Sequence, residues 1–471
     1  MSRQLVIGGE VVNTTDSDSV VNPYTGQTVA QVPLADRGQV EAAIGAAHRC
    51  FSEYREWPGH RRSTLLADIA AGIAARRGEL AESIVAEGGK PVTQALGEVD
   101  RAVTTFTVAA EEAKRIGGEV IPADITPAGE GYTALTRYFP IGPIAGISPF
   151  NFPLNLVAHK LAPALAVGCP MVLKPPVQTP LTPLLLGDIV ADAGAPDGLF
   201  TVVPCSVAAA QPLITDDRIA MLSFTGSDRV GWQLKAQAGK KRIALELGGN
   251  AAAVVAADAD IAHAAARIAF GAFAYAGQVC ISVQRVLVQE SVYEPFLEAL
   301  VNATRALGVG DPSDPNTVVG PVIDAANAER VMAWIAEAVE SGATVASGGT
   351  REGNVLAPTI LTGTSPDLKV RCAEVFGPVV TVNPYGTFEE AVAMVNNSPF
   401  GLQAGVFTND LRHALYAHRH LEVGGVVVGD IPTVRFDHTP YGGVKDSGLG
   451  REGVRYAMAE MTEPRLLLIK E

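Results

Sequence analysis

Cysteine is scarce in this chain of 471 residues: only Cys50, Cys169, Cys205, Cys280 and Cys372 occur. None forms a C-x-x-C pair and the number is odd, which argues against a disulfide framework, a zinc site or any other bound metal. Long apolar runs are also lacking, so no stretch reaches the length that spans a bilayer. The start, Met1 to Val12, carries no basic region followed by an apolar core, so no secretory leader is expected. Reduced thiols in a cytoplasm are the expected setting. Positive charge is in short supply: 36 Lys and Arg face 50 Asp and Glu, a net charge of −14. Such a balance speaks against nucleic acid or anionic membrane as the main partner. No internal repeat and no low-complexity linker is present, and the G-x-G-x-x-G dinucleotide fingerprint is absent from its expected place.

What is there reads as globular: 48% of residues are hydrophobic and 18% charged. The length is large for one domain, and two or three are expected. Gln4–Val12 reads as a short hairpin turning on two glycines. Residues 37–115 are rich in Ala, Glu and Arg at helical spacing. From about residue 142, short apolar runs alternate with helix-like segments: Ile144–Ser148, Met171–Lys174, Leu199–Val203, Ile219–Phe224 and Ile243–Leu247. Continuous apolar strands between helices imply a parallel sheet covered on both faces, the doubly wound arrangement that commonly carries nucleotides. A second series runs from Ala251 to about Gly429, through Val286–Val288, Val379–Val382, Ala404–Phe407 and Gly425–Val428. Tyr132–Tyr138 and Arg465–Ile469 alternate like edge strands, which often pair with other chains.

Two short signals carry chemistry. Glu246-Leu-Gly-Gly-Asn250 places a carboxylate at the end of an apolar run, where desolvation should raise its pKa. Gly277-Gln-Val-Cys280 sets a cysteine in a glycine-led turn. A thiolate attacks a carbonyl, and a nearby carboxylate then activates the water that releases the acyl group. Read alone, each has an ordinary alternative: a buried structural cysteine, a strand-end acid. Asn151, in Pro149-Phe-Asn-Phe-Pro153, is either an amide donor to an oxyanion or the cap of a helix that starts there. Lys174 ends an apolar run in Val172-Leu-Lys-Pro-Pro176. Ser223-Phe-Thr-Gly-Ser-Asp-Arg-Val-Gly231 reads as strand, small-residue turn and helix start, whose N–H groups and dipole suit a pyrophosphate. Glu374-Val-Phe-Gly-Pro378 has no reading of its own beyond a surface acid.

These blocks, taken in their order along the chain, resemble the aldehyde dehydrogenase superfamily. The resemblance runs from Asn22-Pro-Tyr-Thr-Gly26 to Pro440-Tyr-Gly-Gly-Val-Lys-Asp-Ser-Gly-Leu-Gly-Arg451, nearly the whole chain. It is nearest to the non-acylating lactaldehyde and semialdehyde branch. It implies Cys280 as nucleophile, Glu246 as general base and Asn151 as oxyanion donor. It implies a cofactor, NAD or NADP, held by Ile147, Lys174, Gly226, Ser227, Gly231, Glu374 and Phe376. Three positions after Lys174 stands Val177 where many NAD-preferring relatives carry Glu, so neither coenzyme is excluded. The rivals are a CoA-acylating semialdehyde dehydrogenase, which often lacks the base, a non-catalytic protein of the same fold, and a cofactor-free cysteine hydrolase.

Substrate choice turns on three departures from relatives that take apolar aldehydes. His159 and Arg435 stand where tunnel aromatics are common, and Arg101 falls near the tunnel mouth. Cationic donors suit a small polar or anionic aldehyde, such as a lactaldehyde, a semialdehyde or a phosphono- or sulfo-aldehyde. The alternatives are a core role for His159 and an Arg435–Asp437 pair. Val279, before the nucleophile, replaces the Arg of some phosphorylated-aldehyde relatives and weighs against a sugar phosphate. The expected fold is α/β: two doubly wound α/β domains, nucleotide-binding and catalytic, with a small β oligomerisation element. The cofactor domain is expected in 1–120 and 142–246, the catalytic domain in 247–430, and oligomerisation strands in 121–141 and 455–471. A homodimer or homotetramer is expected.

Overall fold

The computed structural model describes residues 4–471; the first three residues of the expected cofactor domain lie outside them. Leu5–Ile7 and Glu10–Val12 pair as the expected hairpin, with Gly8 and Gly9 at positive φ in the turn. The helical segment resolves into α1 (Arg37–Tyr54), α2 (Gly59–Ala75), α3 (Arg77–Gly88) and α4 (Val92–Glu112). Asp36 starts α1 with a reciprocal capping box to Gln39.

The first sheet has six strands in the order Gly448–Leu449, Arg242–Glu246, Met221–Thr225, Ile144–Ile147, Met171–Lys174, Phe200–Val202. All are parallel except the Gly448–Leu449 edge. Between the strands lie α5 (Asn155–Val167), α6 (Leu181–Asp192), the short α7 (Gln211–Thr215) and α8 (Asp228–Gln237). Met221–Thr225 is buried along its whole length, as a strand covered on both faces must be. One core packs α2 through α6 against this sheet, and a second packs α1, α7 and α8 against its other face. The chain steps outward from Ile144–Ile147 in one direction and then returns to build Met221–Thr225 on the other side. The switch point therefore falls between these two strands.

The second sheet has seven strands: Thr344–Ser347, Thr359–Thr362, Val379–Tyr385, Arg285–Gln289, Ala252–Val255, Gln403–Phe407 and Gly425–Val428. Only the Thr344–Ser347 edge is antiparallel. A third sheet pairs Thr462–Lys470 with Tyr132–Pro140, and Val120–Ile121 lies at its edge. Leu466, Leu467, Leu468 and Ile469 stay exposed on it. Residues 454–460 form a helix that packs on α4 and α5, so the terminal strand begins at Thr462 and not at 455. Its alternation is visible from sequence; the helix before it is too short to show a period. Among the described residues no helix is long and apolar enough to cross a membrane.

Two of the helices that start without a local side-chain cap, α5 and α6, are capped from a distance. The residues before α5 and α6 are Leu154 and Pro180, which offer no side-chain acceptor. Buried carboxylates from the helical segment fill that need. Glu98 on α4 accepts from the Leu154 and Asn155 N–H groups at 2.9 and 3.1 Å. Glu87 on α3 accepts from Leu181 and Thr182 at 2.7 and 2.8 Å. Glu98 also pairs with the buried Lys90. The Lys90 ammonium lies 3.5 Å from the Phe152 ring centroid and 4.6 Å from that of Tyr275. Burial, only partly countered by Glu98, lowers its pKa to about 8. Glu98→Ala removes a charge partner and two caps at once. The expected loss is about 3–5 kcal/mol, seen as a lower urea midpoint; an unchanged midpoint would contradict this reading.

Candidate active site

The nucleophile loop follows the helix Ile261–Phe273. Tyr275, Ala276 and Gly277 all have positive φ, 53°, 53° and 68°. For the two non-glycine residues this conformation costs energy and persists only where the surroundings enforce it. The enforcement is visible. The Tyr275 hydroxyl donates to the Gly88 carbonyl at 3.2 Å. The buried Gln278 amide donates to the Tyr275 and Pro321 carbonyls, and its oxygen accepts from the Ile323 N–H. At Gly277 a Cβ would lie 2.3 Å from the Gly377 carbonyl oxygen, so no other residue fits.

Glu246 ends its strand from the opposite side, and the two glycines after it allow close approach. A Cβ at Gly249 would stand 2.6 Å from the Cys280 carbonyl oxygen, and one at Gly248 would stand 2.5 Å from a Glu374 oxygen. The Gly249 N–H donates to Glu374 at 3.0 Å. The two glycines after Glu246 thus bring its strand end against the Cys280 backbone and the Glu374 carboxylate. Asn151 completes the group: its amide donates to the Gln278 carbonyl at 3.0 Å, two residues before the thiol. It does not cap α5, which begins at Asn155 and is served by Glu98.

Cys280 keeps some solvent contact yet is densely enclosed. Burial pushes its thiol up to about 11; a hydrogen bond with Tyr441 and the Arg435 charge act the other way, while Glu374 and Glu246 add to the rise. Burial also raises Glu246 well above the carboxylate range, and Glu452 beside it adds to that. Burial pushes Glu452 up as well, but Lys160 and Arg435 more than offset this and hold it ionised. Lys160 bonds Thr225 at 2.6 Å and Glu452 at 3.3 Å. Glu374 is raised to about 7 by burial.

The three substrate candidates converge on the same region, but two departures from expectation appear. Arg435 pairs with Glu452 at 2.9 Å and not with Asp437. Asp437 instead takes Arg101 at 2.7 Å and His159 at 2.8 Å, and the Asn155 amide at 3.3 Å. His159 is not a cation: burial, with Arg435 adding, lowers its pKa to about 4. The spacing of Arg435 and Asp437 made their pairing plausible, but the chain bend brings Glu452 closer. Four buried polar atoms here have no protein partner among the described residues: Asn151 Oδ1, His159 Nδ1, Glu246 Oε2 and Arg435 Nε. A polar ligand or ordered water would satisfy such a group.

A dinucleotide fits the adjoining crevice. Ile147 and Gly226 lie at the carboxyl ends of the two switch-point strands, and Lys174 ends the next strand opposite Ile147. The helix after the first of these strands, α5, has its first N–H groups taken by Glu98, which explains the missing fingerprint there. The free helix start belongs to α8, where Ser227 occupies the cap position without a side-chain cap bond. Lys174 reaches only the neighbouring Pro175 carbonyl, at 3.3 Å, among the described residues. Phe376, at positive φ, meets Phe150 edge-on at 5.7 Å. Gly231 has a different reason from the expected one: a Cβ there would lie 2.3 Å from Leu247 Cδ2, so packing of α8 on the strand end explains it without a phosphate. Among the described residues no group of three His, Cys, Asp or Glu is placed to hold a metal ion.

The doubly wound sheet, its switch-point crevice and the enclosed cysteine beside it are the arrangement of a dinucleotide-dependent oxidoreductase. Comparison with known proteins gives the family. The profile of the aldehyde dehydrogenase family matches residues 12–467. The 3-sulfolactaldehyde dehydrogenase of Priestia aryabhattai is 43% identical over 466 residues, covering 99% of this chain and 97% of the relative. Aldehyde dehydrogenase 21 of Physcomitrella patens, solved with the reaction product succinate, superposes with a TM-score of 0.98 at 42% identity, covering 100% of this chain and 98% of the other. The NADP complex of glyceraldehyde-3-phosphate dehydrogenase GapN from Methanocaldococcus jannaschii gives 0.93 at 37%, covering 97% and 100%. The chain belongs to the aldehyde dehydrogenase family and is an NAD(P)-dependent aldehyde oxidoreductase.

Gly249→Ala tests the seating of the nucleophile. The added methyl presses on the Cys280 carbonyl, and a shift of this size costs about 100-fold in kcat while the protein stays folded. Native kcat in a folded variant would contradict the packing argument.

Proposed function

We propose that the chain oxidises a small polar or anionic aldehyde to its carboxylate in two stages at Cys280. The observation that carries this reading is the joint seating of Cys280, Glu246 and Asn151 around one point. The thiolate adds to the aldehyde carbon. Asn151 and the Cys280 N–H donate to the resulting oxyanion. A nicotinamide bound in the crevice supplies the hydride acceptor. Cys280 is left as a thioester. Glu246 then takes a proton from water, the hydroxide adds to the thioester carbon, and the carbon–sulfur bond breaks to release the carboxylate. Residues that would hold the dinucleotide are Ile147, Lys174, Gly226, Ser227, Glu374 and Phe376. Water as acyl acceptor follows from Glu246, so turnover without CoA is expected. The sheet of strands 132–140 and 462–470, with the exposed strand 462–470 at its edge, is read as the assembly element of a homodimer or homotetramer.

For the substrate, Arg101 and Arg435 supply positive charge beside the unpartnered atoms, whereas the neutral His159 offers a hydrogen bond only. Both arginines are already paired, so an anionic group must share or displace Asp437 and Glu452. The sulfonate named in the Priestia relative and the succinate held by the Physcomitrella structure are groups of this kind.

Glu246→Gln is expected to give a stoichiometric burst of reduced coenzyme and then a steady rate lowered about 100-fold or more. In the native enzyme the base works only when ionised, so kcat should fall as pH drops through a value well above 4.5; the Gln variant should lose that limb. Native turnover in the variant would remove Glu246 from the role. Arg101→Leu is expected to cut kcat/KM for a sulfonated or carboxylated aldehyde about 10–100-fold while sparing a neutral one. Equal losses for both would contradict the anionic reading.

A further inference from the structure

Tyr441 is placed against the nucleophile in a way the proposed chemistry has not used. Its hydroxyl lies 3.0 Å from Cys280 Sγ. The side chain is buried, and among the described residues the sulfur is the only partner within hydrogen-bonding distance of the hydroxyl. The phenol is held rigidly. Tyr441 and Glu452 exchange two backbone hydrogen bonds, at 3.1 and 2.7 Å. The Glu452 carboxylate fixes the Arg435 guanidinium, which lies 3.8 Å from the Tyr441 ring centroid. Residue 442, next in the chain, is a glycine whose Cβ would stand 2.8 Å from Glu246 Oε1. One short segment therefore touches the sulfur and abuts the base.

While the thiol is protonated either group can donate in this bond; once it ionises only the phenol can. Toward a neutral thiol this bond is weak; toward a thiolate it is charge-assisted and shorter. A guanidinium over the ring face draws electron density from the ring and makes the O–H a better donor. Resting on the reading of Cys280 as nucleophile, we propose that Tyr441 is a catalytic residue whose hydroxyl stabilises the Cys280 thiolate by donating to Sγ, with Arg435 strengthening that donor through the ring. In this step the S–H bond breaks, the proton passes to water, and Tyr441 keeps its own proton.

The test is the pH dependence of Cys280 alkylation by iodoacetamide, without coenzyme, in the native enzyme and in Tyr441→Phe. The label is located by peptide mass because Cys372 is also accessible. The expected result is an upward shift of the alkylation curve and a rate lowered about tenfold near neutral pH, with the same plateau at high pH, since a hydrogen bond to an ion is lost. Coenzyme affinity should not change, which separates this role from a merely structural one. Superimposable curves would overturn the proposal while leaving Cys280 as nucleophile. Failure of Cys280 itself to alkylate in the native enzyme would instead overturn the reading on which it rests.

Discussion

Dehydration of one sulfur atom sets the terms for the rest of the site. Burial, with two nearby carboxyl groups adding, raises the Cys280 thiol to about 11. A thiolate, a Glu246 carboxylate and a Glu374 carboxylate ionised together in so dry a place would repel strongly. The structure resolves this by keeping Glu246 and Glu374 inclined to the neutral form, through the same burial. The negative charge beside them is assigned to Glu452, between Lys160 and Arg435. Ionisation of nucleophile and base in turn, and not at once, matches a reaction in which they act in turn. The protons then belong to the coupled set more than to any one residue.

That environment requires two loops from different domains to be held at fixed separation. Glycines at 248, 249 and 277 remove the side chains that would hold them apart. The strained turn at Tyr275 and Ala276 is tied to the helical segment through Gly88, and the Asn151 loop is tied to it through Glu98. Lys90 touches both loops, by way of Tyr275 and Phe152. The helical segment thus acts as the frame on which nucleophile and oxyanion donor are mounted, although it supplies neither.

The parallel strands were legible because a buried strand is apolar along its length: Met171–Lys174 and Gln403–Phe407 fall where the apolar runs lie. Cys280, Glu246 and Asn151 stood out as candidates through flanking residues that have packing reasons, above all the glycines. The remote caps Glu87 and Glu98 did not, since nothing near residue 154 or 180 announces an acceptor from dozens of positions away. The partners of the arginines were not legible for the same reason: Asp437 was only the alternative reading for Arg435, and chain folding delivers Glu452. Tyr441 stood in view as the aromatic of Pro440-Tyr-Gly-Gly, but only coordinates place its hydroxyl on sulfur. Gly231 looked like part of a phosphate loop, and its contact with Leu247 gives it a packing reason that the sequence does not show.

The claim on which the account rests is that the substrate's acyl group becomes covalently bound to Cys280. It is tested most directly by rapid acid quench of the Glu246→Gln protein mixed with an aldehyde and coenzyme, followed by intact-mass and peptide-mass analysis. The account predicts one acyl adduct per chain, on the peptide that contains Cys280 and absent when coenzyme is omitted. Coenzyme reduction with an unmodified Cys280, or an adduct on another residue, would contradict it.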